Sequence, residues 1–125
     1  MKRVLICDDA LVMRMVIKKE IEKLGFEVVA EASDGEEAVH LYQEYKPDIT
    51  TMDITMPKKS GIVALQEIMA FDKDAKVVMV SAMGQEEWVR QSIIAGAKNF
   101  IVKPFTEKQF IYTVKKALKN KKKQD

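Results

Sequence analysis

At 125 residues the chain has the length of one domain. Its composition, 47% apolar and 32% charged, is that of a globular protein and excludes a disordered one. No apolar run approaches the ~20 residues of a membrane span. The net charge of +2 marks no basic face, because the excess sits in Lys119, Lys121, Lys122 and Lys123 and the rest is near neutral. That is not the footprint of a nucleic-acid binder.

The domain is expected over residues 1–118. Residues 119–125 read as a lysine-rich tail, either a solvated helix end or the start of a linker. The N-terminus turns acidic at Asp8-Asp9, too soon for a secretory leader. Cys7 is the sole cysteine, so there is no disulfide framework and the expected location is cytoplasmic. Cys7 itself reads as a core-facing strand residue, not a reactive thiol.

In chain order, Arg3–Cys7 is an apolar run of strand length. Leu11, Met15, Val16, Ile17, Ile21 and Leu24 then recur at helical spacing, with Gly25 placed as a C-cap glycine. Glu27–Ala32 reads as a second strand whose alternation and charge suggest an edge. Asp34 caps a second helix with Glu36 and Glu37 in its first turn, the favoured sign at that dipole end. Ala38, Leu41, Tyr42 and Tyr45 supply its stripe, and Pro47 stops it.

Ile49–Met52 is the third strand, and Ser60-Gly61 begins a third helix with Leu65, Ile68 and Met69 on one face. Lys76–Val80 is a fourth strand, apolar on both faces and therefore central. Gln85–Ala95 is a helix closed by Gly96. Phe100–Val102 is the fifth strand. Thr106 and Gln109 have capping-box spacing, and Phe105 and Phe110 that of a hydrophobic staple, before a helix carrying Phe110, Val114, Ala117 and Leu118.

A β-α unit repeated five times with short connections requires an α/β fold. The expectation is a doubly wound, flavodoxin-like (βα)5 domain, with a five-stranded parallel sheet in order 2-1-3-4-5 and helices on both faces. Polar residues follow the strands: Asp8-Asp9 the first, Asp53 the third, Ser81 the fourth and Lys103-Pro104 the fifth. Ligands bind outside the carboxyl ends of such sheets, at the switch point. Three carboxylates, a hydroxyl and an ammonium should therefore share one cleft. Singly, each is more often a turn former or a cap; jointly, at four strand ends, they are not.

Crowded carboxylates need a cation. An all-oxygen set suits a hard ion such as Mg²⁺, and no His or Cys stands among these residues to favour Zn²⁺. His40 reads as solvated on its helix. A carboxylate can attack phosphorus to give an aspartyl phosphate, and phosphoryl transfer needs mainly positioning and charge neutralisation. No glycine-rich phosphate loop is present, which argues against a nucleotide.

Asp8-Asp9, Asp53 with Met56-Pro57 and Gly61, Ser81-Ala82, and Lys103-Pro104-Phe105 together resemble the receiver domain of two-component response regulators. The wording of Met52–Pro57, Ser81–Gln85 and Gly96–Phe105 is similar to the stand-alone chemotaxis regulators within that family. The resemblance implies a phosphorylation-activated switch rather than an enzyme, with Asp53 as phosphoacceptor. Asp9, Asp53 and the Thr55 backbone carbonyl would bind Mg²⁺ directly, and Asp8 mainly through water. Lys103 would bridge to the phosphoryl group and Ser81 would move to hydrogen-bond it. The Lys103–Pro104 peptide would be cis. Phe100 would turn inward, reshaping the face formed by the fourth helix, fifth strand and fifth helix.

The implied partners are a histidine kinase and a downstream target, the flagellar motor switch in chemotaxis, on that face. Nucleic acid, membrane and self-association are not expected. Phe100 departs from the tyrosine of the best-known chemotaxis regulator and offers no hydroxyl. Thr55 and Met83 hold positions that tune dephosphorylation in the family. Met13, Met15, Met52 and Met56 read as packing under the site. Trp88 reads as half-buried packing, with an exposed anchor on the output face as the alternative. Two rivals are a haloacid-dehalogenase-type phosphatase, which would need a second Asp where Thr55 stands, and the receiver of a transcription factor.

Overall fold

The computed structural model describes residues 1–119; the lysine-rich segment from residue 120 onward lies outside them. Five strands alternate with five helices: β1 (Arg3–Cys7), α1 (Leu11–Lys23), β2 (Glu27–Ala32), α2 (Gly35–Tyr45), β3 (Ile49–Met52), α3 (Gly61–Phe71), β4 (Val77–Ser81), α4 (Glu86–Ala95), β5 (Asn99–Val102) and α5 (Glu107–Leu118). The strands form one parallel sheet in the order β2-β1-β3-β4-β5. That is the order expected from five short β-α units, with β2 on an edge. β4 begins at Val77, one residue later than the sequence suggests, although the Lys76 carbonyl still accepts from the Thr50 N–H of β3 at 2.9 Å.

Alternating side chains send the sheet's apolar residues to opposite faces. Leu5, Cys7, Met52, Val77 and Met79 pack with α2 and α3, and with Trp88 and Ala95 of α4. Val4, Ile6, Ile49, Val78, Val80 and Ile101 pack with Ile17 and Ile21 of α1 and Phe110, Val114 and Ala117 of α5. Both faces are covered, which is why the inner strands carry apolar residues at almost every position.

The caps follow their chemistry. The Asp34 carboxylate accepts from the Glu37 N–H at 2.7 Å, and Ser60 Oγ from the Val63 N–H at 3.2 Å. Thr106 and Gln109 form a complete capping box. Phe105 stacks on Phe110 with ring centroids 5.2 Å apart, closing the staple.

α1 departs from expectation. Leu11, Met15 and Val16, together with Val12, are exposed, while Ile17 and Ile21 are buried. This helix carries two apolar stripes. Met13, Ile17, Ile21 and Leu24 run down one side and Leu11, Val12, Met15 and Val16 down another. Both have helical spacing, so periodicity alone cannot say which faces the sheet.

Candidate functional site

Parallel register brings the strand ends together. Cys7 pairs with Met52, so Asp8 and Asp53 leave adjacent strands side by side. Ser81 pairs with Val102, so Lys103 emerges beside the end of β4. Carboxylate oxygens of Asp8, Asp9 and Asp53 all lie within 4.8 Å of one another. The Lys103 ammonium donates to Asp8 Oδ2 at 2.8 Å and to Asp53 Oδ2 at 3.1 Å. Asp8 and Asp53 are buried, whereas Asp9 is open to solvent.

The two buried acidic side chains stand on an anchored backbone. The Asp8 N–H donates to the Ala32 carbonyl at 3.0 Å, and the Ala10 N–H donates to Asp8 Oδ1 at 2.9 Å. The Asp53 N–H donates to the Cys7 carbonyl at 3.0 Å, and the Ile54 N–H to Asp53 Oδ1 at 2.7 Å. The chain leaving Asp53 folds back tightly, the Gly61 N–H donating to the Ile54 carbonyl at 2.7 Å. A Cβ on Gly61 would run into the Asp53 backbone carbonyl, so this close approach requires glycine. Gly35, at the start of α2, lies as close to the Lys59 carbonyl and holds the same loop from its other side.

The charges do not balance: three carboxylates face one ammonium. Burial pulls the Lys103 ammonium downward, but its hydrogen bond to Asp8 and the fields of Asp53 and Asp8 outweigh this, leaving its pKa raised. The residual negative charge, the all-oxygen donor set and the open position at Asp9 fit a hard divalent cation such as Mg²⁺.

Ser81 is buried at the end of β4, where its hydroxyl accepts from the Met83 N–H at 3.1 Å. It makes no hydrogen bond to the carboxylates among the described residues. Thr55 lies exposed in the loop beyond Asp53. Phe100 is half-buried against the α2–α3 side of the core and lines an open cleft of about 350 Å³ with Val102, Gln109 and Tyr112. The Lys103–Pro104 peptide is cis. His40 is exposed with its Nε2 3.7 Å from Glu44, away from the cluster. Met52 and Met56 are buried, Met13 half-buried and Met15 exposed, so only part of the methionine group packs beneath the site.

Sequence reasoning passed over Arg14. Its guanidinium donates to the Asp8 backbone carbonyl at 2.7 Å and to Glu31 Oε1 at 3.1 Å. An arginine on a charged helix reads as solvated, and nothing in its spacing points to a strand end.

The family model for the response regulator receiver domain matches residues 4–115. The chain is 54% identical over 118 residues to the chemotaxis protein CheY of Thermotoga maritima, covering 94% of this chain and 98% of the relative. It is 53% identical over 116 residues to CheY of Bacillus subtilis, covering 93% and 97%. A solved CheX-CheY-BeF3-Mg complex from Borrelia burgdorferi superposes with a TM-score of 0.92 at 41% identity, covering 95% of this chain and 90% of that one. With the family model matching residues 4–115 and relatives more than half identical over most of the chain, the chain belongs to the response regulator receiver domain family, the phosphoacceptor switches of two-component signalling.

Proposed function

We propose that the receiver is a phosphorylation-activated switch of chemotaxis in which Asp53 accepts the phosphoryl group of a histidine kinase. The observation that carries this is the placement of one ammonium, Lys103, against both Asp8 and Asp53 at the mouth of a three-carboxylate pocket. An Asp53 carboxylate oxygen bonds to phosphorus as the phosphorus–nitrogen bond of the donor phosphohistidine breaks. The donor ring, protonated on its other nitrogen, leaves as neutral imidazole, and Asp53 becomes an acyl phosphate. Water later attacks phosphorus, restoring the carboxylate and releasing inorganic phosphate.

Asp9, Asp53 and the Thr55 carbonyl would hold Mg²⁺, with Asp8 acting through water. The ion supplies charge neutralisation for the phosphoryl oxygens. Lys103, already protonated and partly buried, supplies a second positive charge. Ser81 would exchange its bond with the Met83 N–H for a phosphoryl oxygen. That exchange draws the β4–α4 loop toward the site and frees Phe100 to turn inward, altering the α4–β5–α5 face that a target protein reads. The receiver unit spans residues 1–118, and Thr55 and Met83 set how fast the phosphoryl group is lost. A phosphatase of the haloacid-dehalogenase type finds no second carboxylate where Thr55 stands.

The test uses Trp88, half-buried at the start of α4. Beryllofluoride with Mg²⁺ is expected to change its fluorescence in the wild type, and Asp53→Asn to abolish the change. An undiminished response in Asp53→Asn contradicts the assignment.

A further inference from the structure

We propose that Arg14 is a positioning residue for the metal pocket: by gripping the Asp8 carbonyl it fixes the Asp8–Asp9 peptide and so sets where Asp9 presents its carboxylate. The inference rests on the Mg²⁺ reading above. Asp9 is exposed, and among the described residues its carboxylate has no hydrogen bond or ion pair. Its placement within 4.8 Å of Asp8 and Asp53 therefore depends on the backbone that carries it. The peptide group is planar, so a carbonyl held at one end orients the whole Asp8–Asp9 unit.

The grip has a firm base. Arg14 donates through Nη1 to the Asp8 carbonyl at 2.7 Å and through Nε to Glu31 Oε1 at 3.1 Å. The side chain is only 15% exposed. Glu31 stands in β2 opposite Ile6 of β1, so the carboxylate that steadies Arg14 is tied to the sheet beneath the site. The other polar groups of Asp8 are already engaged, by Ala32, Ala10 and Lys103. A planar fork holds two acceptors at once, which a lysine ammonium on a flexible stem does less well.

Position and charge predict opposite signs. A guanidinium beside an acidic pocket repels a divalent cation, so as a charge alone its loss would tighten Mg²⁺ binding. As a positioning group, its loss weakens binding, and removing such outer partners of metal ligands commonly costs about tenfold or more. The test is calorimetric titration of MgCl2 into wild type, Arg14→Met and Arg14→Lys, each shown to be folded by its cooperative urea transition. Arg14→Met is expected to raise the Mg²⁺ Kd roughly tenfold. The maximal rate of acetyl phosphate labelling should recover at saturating Mg²⁺. If Arg14→Met does not fold, Arg14→Lys is read in its place, weaker binding supporting the proposal and wild-type affinity overturning it. Mg²⁺ affinity in Arg14→Met equal to or tighter than wild type overturns the positioning role alone. A wild-type chain that binds no Mg²⁺ overturns the metal reading and this inference with it.

Discussion

Lys103 reaches Asp8 across 95 residues of chain, its ammonium 2.8 Å from Oδ2. The contact joins the edge strand β5 to β1 over the ends of β4 and β3, with Asp53 in the same grip at 3.1 Å. Lys103→Met leaves a buried Asp8 carboxylate beside Asp53 with no cation, and unfolding in urea is expected to show a stability loss of roughly 1–3 kcal/mol at neutral pH. The pH dependence has a defined sign. The folded pKa of Lys103 is raised, so its contribution is full below the unfolded lysine value of about 10.4 and is lost as pH rises through the higher folded value. The wild-type advantage over Lys103→Met should hold through neutral and mildly alkaline pH and collapse only beyond that value.

Asp9 is the acidic residue with the least to lose. It adds negative charge to the pocket without a partner among the described residues. In metal-free buffer Asp9→Asn is expected to raise Tm by a few degrees, and added MgCl2 is expected to stabilise the wild type but not Asp9→Asn. A Tm below that of the wild type in metal-free buffer contradicts the picture of uncompensated repulsion.

Cys7 borders the site yet points into the core and is 1% exposed. Burial pushes its thiol pKa up, and the charges of Glu37 and Asp8 push it further. The thiol is expected to react with a disulfide reagent only on unfolding, with a labelling rate that follows the urea transition. Fast labelling under native conditions would place Cys7 in a more open setting.

β3 carries two buried hydroxyls, on Thr50 and Thr51, with no hydrogen-bond partner among the described residues. Valine has the same branching and no polar atom to strand. Thr50→Val is expected to stabilise the fold by about 1 kcal/mol in urea denaturation. A loss of stability would show that the hydroxyl is satisfied in solution.

The strand order and the convergence of Asp8, Asp53 and Lys103 are legible in the sequence because both follow from one rule. Short β-α units force a parallel sheet, and a parallel sheet gathers its carboxyl ends on one edge. The caps at Asp34, Ser60 and Thr106 are local, and their chemistry is written within four residues. What is hidden is non-local. Two apolar stripes on α1 satisfy the same period, and only packing against β1, β2 and α5 selects Ile17 and Ile21. Arg14 meets Asp8 because α1 turns back over the strand it has just left, and no spacing marks a side chain that grips a carbonyl. The closeness of Gly61 to Asp53, and of Gly35 to Lys59, likewise appears only once the loop after β3 is folded.

The switch depends on Asp53 accepting the phosphoryl group. Intact-protein and peptide mass spectrometry after incubation with acetyl phosphate and Mg²⁺ tests it most directly. The wild type is predicted to gain one phosphoryl group, mapped to Asp53 and removed by hydroxylamine, while Asp53→Asn gains none. A stoichiometric label that persists in Asp53→Asn, or that maps to Ser81, would contradict it.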